Sequence, residues 1–234
     1  MRLIMLDTET TGLRVEEGHR VLEIGCVECI DRRVTDHQFH AVINPEREVD
    51  EGAAQVHGMR WEQLKDKPIF SQVVDEFLGF INGARLVIHN AEFDRGFLDS
   101  ELRRLGREPL AHHVESVVDS LAQARELHPG QKNSLDALCQ RYEIRNEHRV
   151  LHGALLDARL LAEVYLMMTR GQESLAIHDP DDSLPEHSGF SAADLAKIVV
   201  RRASAAERLA HEAVLADIDQ ESNGKTIWPR RAYS

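Results

Sequence analysis

Residues 1–13, MRLIMLDTETTGL, run four consecutive apolar side chains, Leu3, Ile4, Met5 and Leu6, directly into Asp7 and Glu9. A short apolar run without polar alternation predicts a buried strand. On a strand, residues two apart share a face, so Asp7 and Glu9 extend the row begun by Leu3 and Met5. Two carboxylates that close repel unless a cation lies between them or one keeps its proton.

Working outward, HRVLEIGCVECID predicts the second strand of a hairpin, joined to the first across Gly12 and Gly18. QFHAVINP predicts a third strand, stopped by Pro45. VDEGAAQVHG and SQVVDEFLGFING carry short helical patterns, and ARLVIHN is a short apolar strand. AEFDRGFLDSELRRLG predicts an amphipathic helix, with Asn90 as N-cap and Gly106 just past its end. VESVVDSL is the next strand, and helices follow at SLAQAREL, NSLDALCQRY and GALLDARLLAEVYLMMTRG. Three strands and then alternating helices and strands make an α/β layered domain with a mixed sheet.

The character changes after Gly171. Residues 172–190 are polar, acidic and interrupted by prolines, which predicts a flexible linker. Residues 191–234 predict a C-terminal helical tail, in which Ser204 and Glu207 form a capping box. The domain boundaries expected are therefore 1–171, 172–190 and 191–234.

Length and composition fit one domain with an appendage. No apolar run reaches membrane-spanning length, and Asp7 interrupts the first apolar stretch too early for a signal peptide. Cys26 and Cys29 form a C-x-x-C, but on a strand that spacing sends them to opposite faces, which argues for two small core residues rather than a metal or redox pair. Three cysteines without a disulfide framework fit a cytoplasmic protein. The net charge of −12 runs against a nucleic-acid partner. Acids gathered to hold divalent cations lessen the conflict, because metal neutralises them.

Acids recur where apolar residues are expected. Asp94 shares a helical stripe with Phe97 and Leu98, and Asp157 one with Leu161, Val164 and Met168. Each alone is explained by a carboxylate in a first helical turn. Together with Asp7 and Glu9 they make four inward carboxylates, costly to bury unless they surround hard cations such as Mg²⁺ or Mn²⁺. His152 lies five residues before Asp157, placed to accept a proton from an attacking water.

DTETTGL, HNAEFDRGFL and HGALLDARLLAEVY, in that order, resemble the three motifs of the DEDDh 3′→5′ exonucleases, and the chain is most similar to the proofreading subunits of bacterial DNA polymerase III. The resemblance implies a ribonuclease-H-like mixed five-stranded sheet flanked by helices. It implies two divalent ions held by Asp7, Glu9, Asp94 and Asp157, with His152 as general base. It implies a DNA 3′ end as substrate, touched by Asp7, Thr8, Glu9, Thr10, His57 and Asp157. For Thr8 and Thr10, hydrogen bonds that finish the strand are an equal alternative.

The tail extends the same resemblance. Gln172, Leu175 and Ile177 match a short sliding-clamp-binding peptide, a pattern brief enough to arise in an ordinary linker. Leu215, Ile218 and Trp228 match the segment that docks on the polymerase (alpha) subunit, and a small additional core subunit is a further partner in such complexes. The motifs leave two rivals: a free-standing nuclease of RNA or short oligonucleotides, and a non-catalytic module that holds the polymerase on the clamp.

Overall fold

A computed structural model describes residues 1–146, 151–170 and 203–222. The chain divides into two units, Met1–Ala176 and Ile177–Ser234.

The first unit is built on a five-stranded mixed sheet of order β3-β2-β1-β4-β5. Strand β1 (Arg2–Thr10) pairs antiparallel with β2 (Val21–Ile30), and β2 with β3 (Arg33–Val42). On its other side β1 runs parallel to β4 (Arg85–Ile88), which pairs in parallel with β5 (Ser116–Asp119). Leu3 to Leu6 are buried as expected of a central strand covered on both faces.

The two faces carry separate cores. Ile4, Leu6, Ile24 and Cys26 pack with α3 (Phe70–Ile81) and α4 (Ala91–Arg104). Leu3, Met5, Val27 and Cys29 pack with α6 (Leu135–Arg141) and α7 (Ala154–Met168). Cys26 and Cys29 thus point to opposite faces, both buried and free. Helices α1 (Glu51–His57) and α2 (Trp61–Leu64) lie between β3 and α3, and α5 (Ser120–Leu127) follows β5 directly.

Two local features differ from the sequence reading. The β2–β3 turn is two residues, Asp31 and Arg32, both at positive φ (48° and 64°), so β3 begins at Arg33 rather than near Gln38. No glycine signals this turn. Arg32 is held there by α7, donating from Nη2 to the Leu166 carbonyl at 2.7 Å and from Nη1 to Thr169 Oγ1 at 3.0 Å. Asn90 stands at the N-cap of α4, but its side chain does not cap the helix. It takes the left-handed conformation (φ 71°), which asparagine tolerates, to turn the chain from β4 into α4. Its N–H donates to Asp119 Oδ1 at 3.2 Å.

In the second unit, α8 (Ala205–Glu221) starts with the expected capping box: Ser204 N–H donates to Glu207 Oε2 at 2.7 Å, and Glu207 N–H to Ser204 Oγ at 3.3 Å. It buries no residue, and Leu209, Val214 and Ile218 are exposed. Residues 172–190 and Trp228 lie outside the described residues. Among the described residues no helix is long and apolar enough to cross a membrane.

Candidate active site

Pairing between β1 and β4 ends at Leu6–Ile88, while β1 continues to Thr10 against β2. The continuation leaves a cleft beyond the carboxyl ends of the parallel strands, where open α/β sheets bind ligands. It has a volume of ≈ 570 Å³, and Asp7, Glu9, Asp94, His152 and Asp157 all line it.

Each arrives by a different route. Asp7 and Glu9 lie on the row of Leu3 and Met5, facing α7. Asp157 is in the first turn of α7 and buried. That turn is seated on the sheet by two residues of β2. Gly25, paired with Asp7, leaves room that a Cβ would fill at 2.2 Å from the Ala154 carbonyl carbon. Glu23, paired with Glu9, accepts the Ala154 N–H on Oε2 at 3.0 Å, and its Oε1 lies 2.6 Å from His40 Nε2. The carboxylate is thus an N-terminal cap supplied from the neighbouring strand.

Asp94, on α4, is buried beneath the sheet's opposite face. Its Oδ1 accepts both the Thr8 N–H (3.0 Å) and the Thr8 hydroxyl (2.6 Å). Burial dominates and pushes its carboxyl up to about 7, against the pull of the two Thr8 hydrogen bonds, while the nearby charge of Asp119 adds to the rise. Thr8 holds Asp94 through its side chain and lines the cleft as well.

His152 is half-exposed, its Nδ1 3.2 Å from Asp157 Oδ2. Its N–H donates to the Val56 carbonyl at 3.1 Å, which ties the segment ahead of α7 to α1. One ligand atom each of Glu9, His152 and Asp157 lies within 4.8 Å of the others. Carboxylate oxygens gathered at this spacing, with Asp7 and Asp94 among the further acids on the same cleft, fit a hard divalent cation.

A second cleft of ≈ 530 Å³ shares Thr8, Glu9 and Phe93 with the first. Thr10 and His57 line it, together with Leu13 and Val56. Thr10 Oγ1 donates to the Gly12 carbonyl at 2.7 Å. His57 is buried, which depresses its imidazole pKa, and its Nδ1 accepts the Met59 N–H at 3.1 Å. That bond leaves the proton on Nε2.

A family model described as Exonuclease matches residues 4–165 of this chain. The chain belongs to the exonuclease family. Over 236 residues the exonuclease is 48% identical to DNA polymerase III subunit epsilon of Salmonella typhimurium, with 97% of each chain covered, and to that of Escherichia coli K12 at the same identity and coverage. It is 52% identical to the Haemophilus influenzae subunit over 178 residues, 74% of this chain and 70% of the other. Among solved structures, exonuclease X in complex with 5′ overhanging duplex DNA is 25% identical with a TM-score of 0.56, covering 72% of this chain and 91% of that one. An E. coli ExoI–ssDNA complex, 17% identical with a TM-score of 0.63 over 74% of this chain and 41% of that one, shares the fold.

The sequence reading passed over several residues of the exonuclease's site. Glu23 and Gly25 sit inside an apolar strand, where neither signals a helix seat on the neighbouring layer. Phe93, Leu13 and Val56 read as ordinary apolar residues, and only the folded chain brings them beside Thr8 and Glu9. Leu215 and Ile218 lie a turn apart on α8, Leu215 half-buried and Ile218 exposed. Gln172, Leu175, Ile177 and Trp228 fall outside the described residues.

Proposed function

We propose that this exonuclease removes mispaired 3′-terminal nucleotides from DNA as 5′-monophosphates and is the proofreading subunit of a bacterial DNA polymerase III core, in the cytoplasm. The observation that carries the reading is the meeting of Asp7, Glu9, Asp94, His152 and Asp157, drawn from one strand, two helices and the segment before α7, on a single cleft.

Asp7, Glu9, Asp94 and Asp157 would hold two divalent ions, Mg²⁺ or Mn²⁺, which would supply Lewis acidity at the scissile phosphate. His152, its Nδ1 3.2 Å from Asp157 Oδ2, would accept the proton of the attacking water. Thr8 fixes the buried Asp94 carboxylate in one orientation. The second cleft takes the terminal base against Phe93 and Val56, with His57 at its wall. Mismatch preference follows from fraying, since an unpaired end costs less to move into the site than a paired one.

Two further contacts complete the reading: Leu215 and Ile218 of α8, with Trp228, dock on the polymerase alpha subunit, and Gln172, Leu175 and Ile177 on the sliding clamp. A small additional subunit joins the same core.

The test is product analysis on labelled primers ending in a paired or mispaired nucleotide, on single-stranded DNA and on RNA, with Mg²⁺ supplied. The expected result is release of 5′-monophosphates from the 3′ end, faster from the mispaired primer and from DNA. Preference for RNA would point to the free-standing nuclease, and no turnover to a scaffold.

A further inference from the structure

The acids, the histidine and the apolar cleft explain how a terminal nucleotide is cut, but they leave one wall of the main cleft unused. Arg125, Gln131, Asn133 and Ser134 line it on the side of α5 and α6. The same cleft is lined by five carboxylates, Asp7, Glu9, Asp94, Asp136 and Asp157, and among the described lining residues Arg125 is the one lysine or arginine. Arg125 is exposed, on the last turn of α5. A cation there is favoured by the helix C-terminus, but that preference does not require a place on a cleft floored by metal-binding acids. A guanidinium facing divalent cations is unfavourable unless an anion lies between them.

The wall beside it is held in shape. Asn133 is buried, and its Nδ2 donates to the carbonyls of His128 and Gln131, each at 3.2 Å. Its Oδ1 accepts from Arg141 Nη1 at 3.1 Å, and Arg141 Nη2 donates to the Lys132 carbonyl at 2.8 Å. The loop is therefore ordered by its own bonds, leaving Gln131 and Arg125 to meet a ligand.

We infer that this wall, through Arg125, binds the phosphodiester next upstream of the one that is cut. The inference rests on the exonuclease reading. With the terminal base in the apolar cleft and the scissile phosphate at the acids, the remaining wall of the cleft is left to the upstream strand. It also bears on the chain's acidity: one well-placed guanidinium supplies a backbone contact that the net charge of −12 does not.

The test uses the full-length protein with Mg²⁺ and two substrates: a short single-stranded DNA, and the p-nitrophenyl ester of thymidine 5′-monophosphate, which has a cleavable phosphodiester but no second one. For Arg125→Gln, kcat/KM on the oligonucleotide should fall about tenfold more than on the ester, mainly through KM, as expected for a lost charged hydrogen bond. The slope of log kcat/KM against log salt on the oligonucleotide should become shallower by about 0.7, the value of one phosphate contact on a single strand. Arg125→Lys should restore the slope. Equal losses on both substrates, or an unaltered slope, would overturn the inference while leaving the nuclease reading intact. A wild type inactive on both substrates would refute the nuclease reading and this inference with it.

Discussion

At the scale of single residues, the site is a set of carboxylates whose environments differ. Burial pushes the Asp94 carboxyl from its usual 3.8 up to about 7. A carboxyl whose folded pKa exceeds its unfolded one binds its proton more tightly when folded. Its contribution to stability is full below 3.8 and is lost as pH rises through about 7. Bound metal reverses this by favouring the ionised form. Asp94→Asn should therefore melt about 5 °C higher than wild type at pH 8 in chelator, with the two converging near pH 4. Added Mg²⁺ should raise the melting temperature of the wild type and do much less for the variant. Thermal unfolding at the two pH values, with and without metal, checks all three statements. The sequence alone raised an electrostatic question at Asp7 and Glu9. The environment of Asp94 was hidden because the Thr8–Asp94 hydrogen bonds span 86 positions.

Helices and strands were legible where periodicity was strong. The apolar run of β1, the stripes of α4 and α7, and the capping box of α8 all read correctly, since each is a local pattern set by burial or by a cap. What stayed hidden was contact between elements. The Asp31–Arg32 turn is compatible with its strained backbone because Arg32 reaches α7, a partner more than 130 positions away. The seat of α7 on Gly25 is the same kind of fact, and it has a direct consequence. Gly25→Ala would drive a methyl into the Ala154–Leu155 backbone, displacing the turn that carries Asp157. A loss of about 1–3 kcal/mol is expected for such overpacking, together with a large drop in excision rate. Gly79 and Gly96, exposed inside α3 and α4, meet nothing within 4 Å. Alanine at either should add roughly 0.5–1 kcal/mol through helix propensity. Thermal melts of the three variants, with excision rates alongside, separate a glycine needed for space from glycines that are not.

Across the whole molecule, sheet order decides where chemistry occurs. A parallel β1–β4 pair beside an antiparallel β1–β2 pair leaves β1 projecting past its neighbour, and Asp7 and Glu9 occupy that projection. The residues that line the two clefts come from β1, α1, α4, α5, α6, α7 and the loops beside them, so no window of sequence contains the site. Motif spacing named five of its side chains, yet the apolar cleft and the Arg125 wall became visible only on folding. The central claim is that these five side chains act together in cutting a DNA 3′ end. The most direct measurement is single-turnover excision of a mispaired 3′ nucleotide with saturating enzyme and Mg²⁺, comparing wild type with His152→Gln and Asp157→Asn. Both variants should be slower by on the order of a hundredfold or more, as expected when a general base or a metal ligand is lost. Excision by either variant at the wild-type rate would contradict the account.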